Sequence, residues 1–164
     1  MLHAYTLEDK KVTTAKLIII GIVAGLVGAL VKSGVETLLP PRLLTATPPP
    51  IGLLELMGFD ANNMTYTFME QSVNWGGNGV HILFSIIIAI IFCLAANFDK
   101  RFAICGAIPF GLVMGLGAHC IVLPIIGIGP APWHIPFEGY ISEVVGTSFW
   151  IWTIDAVRRR LLIN

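Results

Sequence analysis

Six ionisable side chains lie inside the long apolar stretches of this 164-residue sequence. They are Lys32, Glu36, His81, His119, Glu143 and Asp155. An ammonium group, carboxylates and imidazoles can together form ion pairs, exchange protons and hold a small ligand. Because an ionisable group is costly to bury in an apolar span, each of the six is a candidate functional residue.

Each of these groups also has a purely structural interpretation. Lys32 and Glu36 are spaced as an i,i+4 pair that can neutralise itself on one helix. A single histidine at a helix end is more often a packing residue than a proton carrier. Asp155 is followed by Arg158 and Arg159 at i+3 and i+4, which predicts a solvated salt bridge at a helix end.

Motifs for enzymatic chemistry are not visible in the sequence. Because it contains no glycine-rich phosphate-binding motif, HExxH zinc motif or nucleophile elbow, we expect no catalytic residues, no cofactor and no enzyme activity. His81, His119 and Glu143 have metal-ligand side chains, but they come from separate stretches without paired spacing, so no metal site is predicted. The three cysteines are odd in number and far apart, which argues against a disulfide framework.

The composition excludes a soluble globular domain. Apolar residues make up 55% of the chain and charged residues 12%, against roughly 45–50% and about 25% in soluble proteins. Ten basic and ten acidic residues leave no net charge, which argues against a nucleic-acid partner. The chain is therefore predicted to be an integral membrane protein whose surface contacts membrane lipid.

Four stretches with few charged residues are long and apolar enough to cross a bilayer as helices, which takes about 20 residues. The predicted spans are residues 17–39, 80–97, 102–123 and 140–156, and a long outer loop covers residues 40–79. The predicted fold class is an all-α membrane protein with four transmembrane helices in a single domain. Within the outer loop, the apolar stretch 51–59 is a candidate for a short interfacial helix.

The basic residues predict how the four spans are oriented. The N-terminal tail, the short connection after the second span and the C-terminal end carry eight Lys or Arg residues, whereas the two other connections carry only Arg42. The positive-inside rule places the side with eight basic residues in the cytoplasm. Both termini are therefore predicted to be cytoplasmic.

This topology brings five of the six ionisable residues to the outer third of the membrane. We call these five residues the polar cluster: Lys32, Glu36, His81, His119 and Glu143. Their shared depth is hard to explain by five independent structural roles. Arg42, Trp75 and His134 lie in or beside the outer loops, and we expect them to border the outer opening of this site.

Glycines predict where the helices approach one another closely. They are Gly21, Gly25 and Gly28 on the first span and Gly111 and Gly115 on the third. The first three share a helix face with Lys32, and the other two share one with His119. Because small residues let helices pack closely in lipid, the charges should face a packed interior, and the glycine faces also suit a homo-oligomer, which we expect.

Four longer stretches carry these residues in distinctive motifs. They are VKSGVETLLPPR at 31–42, NWGGNGVHILFSI at 74–86, GAHCIVLPIIGIGP at 117–130 and EGYISEVVGTSFWIWTIDAVRRRL at 138–161. Together they resemble the YagU family of bacterial inner-membrane proteins. The resemblance implies a multi-pass protein of the bacterial inner membrane with a role in acid tolerance and no established biochemical activity. Ser33 stands where the family pattern suggests Trp, and Thr147 stands where it suggests His.

Three kinds of function fit these observations. The first is a contribution to acid resistance, with the polar cluster sensing external protons, since histidine titrates near pH ~6.5, or binding a small ligand. The alternative is an oligomeric channel or transporter for ions, protons or a small solute. A third is a structural partner of another membrane complex. The sequence does not identify the ligand, the ion or the number of subunits.

Overall fold

The computed structural model describes residues 12–39 and 47–163, which are mostly helical. The helices and strands are α1 (Thr14–Glu36), α2 (Pro49–Leu56), β1 (Thr65–Phe68), β2 (Gln71–Asn74), α3 (Trp75–Phe98), α4 (Ile108–Gly117), α5 (Leu123–Ile125) and α6 (Phe137–Ile163). Short 3₁₀ segments cover Ala61–Asn63, Lys100–Ala107 and Pro132–His134, and a π-helical turn covers Ala118–Val122.

Side-chain caps set where two of the long helices begin. Thr13 Oγ1 accepts a hydrogen bond from the Lys16 backbone N–H at 3.3 Å before α1. Asn74 Oδ1 accepts one from the Gly77 backbone N–H at 2.7 Å before α3. Each cap gives a partner to an N–H group that the first helical turn cannot satisfy. Both helices therefore begin before the apolar residues of the predicted spans.

Among the described residues, three helical segments are long and apolar enough to cross a membrane: Thr14–Glu36, Trp75–Phe98 and Lys100–Ile125. The 27-residue helix α6 is not one of them, although it is longer than a bilayer requires. Its sequence is less apolar because it carries polar residues that the bundle buries. They include Ser142, Glu143, Thr147 and Asp155.

Helix α1 lies between α3 and α6 and has its most extensive contacts with these two helices, whereas α4 packs mainly against α6. The residues buried where the helices meet include Ala24, Ala89, Phe92, Trp150 and Ile154. This core fills the middle of the bundle. The polar cluster lies on one side of it, at the end where residues of α2 line the neighbouring cavity.

The five predicted packing glycines lie at close helix contacts. A Cβ atom at Gly21 would lie 2.7 Å from the Ile90 Cα, and one at Gly25 would lie 2.5 Å from the Ile86 Cα, both on α3. The other three face α6, where added Cβ atoms would meet side chains within 3 Å; the pairs are Gly28 with Ile154, Gly111 with Ile151, and Gly115 with Thr147. Real Cβ atoms essentially never lie this close to another atom, so a side chain at Gly21 or Gly25 would push the two backbones apart, and one at the other three positions would displace the facing side chain of α6.

The third predicted span, 102–123, is not one continuous α-helix. Cys105, Gly106 and Ala107 have left-handed backbone conformations, with φ of 51°, 65° and 63°, and they interrupt right-handed helical hydrogen bonding. The α-helix begins only at Ile108, with Pro109 in its first turn, where the missing proline N–H removes no helical hydrogen bond. Near its other end the helix widens into the π-helical turn that carries His119.

The loop predicted over 40–79 contains regular structure. Helix α2 covers part of the apolar stretch 51–59, and the strands β1 and β2 form an antiparallel hairpin, so the fold is mostly but not entirely helical. Met69 and Glu70 form its turn with φ of 47° and 64°. Tight hairpin turns require such values and usually take them from Asn-Gly or Asp-Gly. Because that turn sequence is absent, the sequence pattern does not indicate the hairpin.

Candidate functional site

Lys32 lies at the centre of the polar cluster. Its Nζ atom lies 2.8 Å from Glu36 Oε1 on the same helix and 3.9 Å from Glu143 Oε1 on α6. The side chains of Lys32 and Glu143 are 9% and 6% exposed, whereas that of Glu36 is 30% exposed. The i,i+4 pair is thus present, and the same ammonium group also contacts a buried carboxylate of another helix.

Thr147, which stands where the family pattern suggests His, completes this contact. Its hydroxyl donates a hydrogen bond to Glu143 Oε1 at 2.7 Å and accepts one from Lys32 Nζ at 3.4 Å. A threonine at i+4 from a helical carboxylate is the signal that could have identified it. The hydroxyl group therefore bridges the ammonium group of α1 and the carboxylate of α6.

His119 joins the network from the third helical segment. Its Nε2 atom lies 3.5 Å from Glu143 Oε2, so the two oxygens of Glu143 contact different partners. The His119 side chain is 23% exposed. The residue lies within the π-helical turn Ala118–Val122, and such turns are frequent at functional sites because they change where a side chain points.

Two glycines make room for the carboxylates. A Cβ atom at Gly146 of α6 would lie 3.2 Å from Glu36 Oε1, and one at Gly115 of α4 would lie 3.1 Å from Glu143 Oε1. Glu36 therefore crosses from α1 to the backbone of α6. The absence of side chains at these two positions lets the carboxylates reach Lys32.

A cavity of about 570 Å³ opens beside this network. Four members of the polar cluster line it: Lys32, Glu36, His81 and His119. Glu143 lines a smaller neighbouring cavity of about 240 Å³, which His119 also borders. The structure thus brings all five predicted residues to one end of the bundle, with His119 between the two cavities.

A hydrogen-bonded chain forms the inner wall of the larger cavity. Trp150 Nε1 donates to Ser85 Oγ at 2.7 Å, and Ser85 Oγ donates to the Gly25 carbonyl at 2.7 Å. Ser85 is 1% exposed and Trp150 2% exposed. These two hydrogen bonds connect α6, α3 and α1 directly below the polar cluster. Ser85 was not among the residues predicted for the site.

Two of the residues that were predicted to border the outer opening of the site do not line either cavity. Trp75 and His134 are exposed and are not among the residues that line either cavity. Asn74 and Asn78 line the larger cavity instead. Arg42 lies outside the described residues.

At the opposite end of the bundle, Asp155 forms ion pairs with Arg158 and Arg159, as its spacing predicts. The prediction that this group is solvated is wrong for Asp155 and Arg158, which are only 1% and 9% exposed, whereas the Arg159 side chain is 56% exposed. Arg158 also lies over the Phe92 ring, 5.4 Å from its centroid, and Arg159 donates to the Ala103 carbonyl at 3.2 Å. The group therefore ties α6 to α3 and to the 3₁₀ segment, away from the polar cluster.

The polar cluster can exchange protons and hold a charged ligand, since it combines two carboxylates, an ammonium group and two imidazoles. With both histidines neutral, the formal charges of Lys32, Glu36 and Glu143 add to minus one. A proton on His119, next to Glu143, would balance them. Among residues 12–39 and 47–163, no three His, Cys, Asp or Glu side chains are placed to hold a metal ion together.

Comparison with known proteins identifies relatives of this chain. A family described as "Protein of unknown function (DUF1440)" matches residues 26–156. The inner membrane protein YagU of Escherichia coli (strain K12) is 32% identical over 168 aligned residues, which cover 87% of this chain and 82% of the relative. No solved structure matches.

The family match includes all five residues of the polar cluster, and the similarity to YagU extends over most of both chains. The resemblance seen in the four sequence motifs is thereby confirmed. The chain belongs to the DUF1440 family and is a YagU-family membrane protein of unknown function.

Proposed function

We propose that this protein contributes to acid resistance in the bacterial inner membrane by taking up protons at the polar cluster. It spans the membrane four times, with both termini in the cytoplasm and the cluster facing the periplasm. The distribution of charge supports this orientation. Lys16, Lys100 and Arg101 lie at the same end of the bundle as the Asp155–Arg158–Arg159 group, away from the cluster, and the positive-inside rule assigns that end to the cytoplasm.

The single observation that carries the proposal is the contact between His119 and Glu143. Glu143 is nearly buried and shares the ammonium group of Lys32 with Glu36. A nearly buried carboxylate is costly unless cationic or hydrogen-bonding groups surround it. As the external pH falls through the histidine range, near pH ~6.5 for an unperturbed side chain, a proton on His119 places a second cationic group beside Glu143, in addition to Lys32.

Further protonation at His81 would change the balance again. The formal charge of the cluster is minus one with neutral histidines, zero with one proton and plus one with two. Repulsion between His81 and Lys32, which line the same cavity, would then loosen this end of the bundle. Proton uptake would thereby change how the side chains next to Trp150 pack.

The packed core favours proton uptake from one side of the membrane over conduction through the protein. Trp150 lines the cavity and also belongs to the buried core, with Ile88, Phe92 and Ile154 beyond it. A conducting path through one chain would have to cross this apolar layer. We propose that exposed apolar residues of α1, such as Ile19 and Leu30 at 61% each, face lipid or a second copy of the chain.

The proposal is tested with histidine variants in two assays, acid survival of cells and the pH dependence of Trp150 fluorescence in purified protein. For fluorescence, Trp75, Trp133 and Trp152 are replaced by Phe so that only Trp150 reports. We expect His119→Gln to reduce survival and to diminish the spectral change between pH ~7.5 and ~5.5, and His81→Gln/His119→Gln to abolish that change.

His134→Gln is the matched control, because His134 is exposed and lies outside both cavities. It should behave as the wild type in both assays. If the double variant His81→Gln/His119→Gln also behaves as the wild type, the histidines have no part in the mechanism. Proton or ion flux into reconstituted vesicles would instead favour the transporter alternative, and an unrelated subunit that co-purifies would favour the structural one.

A further inference from the structure

The larger cavity lies in a cleft between α3 and the third helical segment. The residues that line it from these two sides are Asn78, His81 and Phe84 on α3 and Ala118, His119 and Leu123 on the third segment. At the end of the bundle opposite the polar cluster the two elements meet, since the ring centroids of Phe92 on α3 and Phe110 on α4 lie 5.3 Å apart. Otherwise, among the described residues, α3 has few contacts with α4, which packs mainly against α6. The cleft therefore widens toward the polar cluster.

Phe84 lies where this cleft meets the surroundings of the bundle. Its side chain lines the cavity and is also 42% exposed. Ile87 and Ile91 follow at i+3 and i+7, which places them on the same face of α3, and both are exposed. Exposed apolar side chains of a membrane-spanning helix contact lipid tails. Phe84, Ile87 and Ile91 therefore form an apolar stripe that connects the cavity with the hydrocarbon of the bilayer.

The cavity and the apolar stripe together have the polarity of an amphiphile. The cavity volume of about 570 Å³ falls within the ~300–1,000 Å³ typical of sites for small organic groups, and the ionisable side chains that line it belong to the polar cluster. The stripe runs from there toward the middle of the membrane, because α3 begins at Trp75 and is long and apolar enough to span the bilayer. A molecule with a polar head group and an acyl chain would therefore meet a matching surface with each part.

The charges on the cavity wall favour a head group that carries both signs. Lys32 Nζ lies 2.8 Å from Glu36 Oε1, and both side chains line the cavity. A head group with a single charge would be attracted by one member of this pair and repelled by the other. A zwitterionic head group can place its ammonium group beside Glu36 and its phosphate nearer to Lys32. Asn78 lines the same space, and its amide can donate hydrogen bonds to phosphate oxygens.

We propose that the larger cavity binds one zwitterionic phospholipid of the surrounding bilayer, with a phosphoethanolamine head group in the cavity and an acyl chain along the apolar stripe. The lipid enters sideways, through the cleft between α3 and the third helical segment. This inference goes beyond the proposed function, because it needs no proton on either histidine and requires only that the bundle lies in a bilayer.

The test is native mass spectrometry of the full wild-type chain in detergent, titrated separately with three lipids that have the same acyl chains. They are phosphatidylethanolamine, which is zwitterionic, phosphatidylglycerol, which is anionic, and diacylglycerol, which has no phosphate. We expect one phosphatidylethanolamine molecule to bind roughly tenfold or more tightly than either other lipid. Equal or tighter binding of phosphatidylglycerol or diacylglycerol would overturn the inference. This comparison does not depend on the folding of a variant.

Glycerophosphoethanolamine, which has the same head group without acyl chains, distinguishes a lipid from a soluble compound. We expect it to bind roughly tenfold or more weakly than phosphatidylethanolamine, because it cannot contact the apolar stripe. Binding as tight as that of the lipid would assign the cavity to a soluble phosphoethanolamine compound and overturn the lipid site.

Two variants and their controls test the position of the lipid. Ala118→Phe fills part of the cavity and should weaken phosphatidylethanolamine binding roughly tenfold, whereas Val113→Phe, at an exposed position of the same segment outside both cavities, should bind as the wild type. Glu36→Gln should remove most of the preference over phosphatidylglycerol, because Lys32 then attracts the anionic lipid. Glu138→Gln, exposed and outside both cavities, should keep the preference. Unchanged binding in Ala118→Phe, or an unchanged preference in Glu36→Gln, would overturn the inference.

Fluorescence quenching locates the lipid without a change at the cavity, in the variant whose only tryptophan is Trp150. Because Trp150 lines the cavity and is buried, a lipid in the cavity reaches it more readily than the lipids around the bundle. Phosphatidylethanolamine brominated near the head-group end of its acyl chains should therefore quench Trp150 at a lower mole fraction than equally brominated phosphatidylglycerol, and equal quenching would contradict the site. A pH response of Trp150 without this difference overturns this inference alone. The difference without a pH response supports the lipid site while overturning proton uptake.

Discussion

Lys32 is the residue whose removal should disturb the site most, because its ammonium group contacts two carboxylates while only 9% of its side chain is exposed. We expect Lys32→Met to destabilise the protein by about 3 kcal/mol, since it leaves Glu143 buried without its ammonium partner. Adding Glu143→Gln should recover much of this loss. Adding Glu36→Gln should recover less, because Glu36 is more exposed. Reversible unfolding in detergent measures these differences, and no recovery in either double variant would contradict the pairing.

Thr147 allows a second test at the scale of one hydroxyl group. Thr147→Val keeps the shape of the side chain but removes the group that bridges Lys32 and Glu143, so we expect a loss of about 1–3 kcal/mol. Thr153→Val on the same helix is the control. The Thr153 hydroxyl donates a hydrogen bond to the Phe149 carbonyl of its own helix, and such a bond adds little to helix stability. Equal losses of stability in the two variants would mean that the hydroxyl bridge between Lys32 and Glu143 does not stabilise the protein.

At the scale of elements, helices α1 and α3 approach each other so closely that glycines of α1 face the backbone of α3. Gly25 faces the backbone of Ile86, so Gly25→Leu would force two helix backbones apart. We expect this variant to lower stability by about 1–3 kcal/mol or more and to release Ser85 from the Gly25 carbonyl. Gly34→Ala on the same helix is the control, because an added Cβ there meets nothing within 4 Å. Unchanged thermal stability of Gly25→Leu would show that the contact is not required.

Helix α6 links the two polar ends of the molecule. Glu143 and Thr147 belong to the polar cluster near its beginning, and Asp155 and Arg158 form the buried ion pair near its end. Between them, Trp150 and Ile154 lie in the apolar core. A movement of α6 in response to protonation would therefore be resisted at the far end by the ties of Arg158 and Arg159 to α3 and the 3₁₀ segment.

At the scale of the whole molecule, the topology is open to a direct labelling experiment. In a variant without native cysteines, Lys100→Cys should react with a membrane-impermeant reagent only after the cells are opened, because Lys100 lies at the end predicted to be cytoplasmic. Glu70→Cys in the hairpin turn should react in intact cells. The two exposed positions lie at opposite ends of the bundle. Labelling of the Lys100→Cys protein in intact cells would contradict the orientation.

That this chain is a membrane protein, and which of its residues are candidates for function, could be predicted from its composition, because the burial of long apolar stretches and the cost of intramembrane charge depend on local composition. Family membership also followed from its motifs. The close contacts between helices at the glycines could be predicted as well, since helical periodicity places the glycines of each helix on one face. The β-hairpin and the interruption at the start of the third helical segment could not be predicted from the sequence. Their left-handed residues include Cys105, Ala107, Met69 and Glu70, and residues other than glycine rarely adopt that conformation.

The ion pairs and hydrogen bonds that connect polar residues of different helices depend on the tertiary structure. Spacing along the chain relates Lys32 to Glu36, but the contact of Lys32 with Glu143 and Thr147 joins residues more than one hundred positions apart. The same limit applies to Ser85, whose role depends on Trp150 of another helix. Asp155 shows the reverse case, since its ion pairs follow from local spacing while its burial does not. Side-chain contacts within a helix are set by periodicity, whereas contacts between helices and the depth of burial depend on how the whole bundle packs.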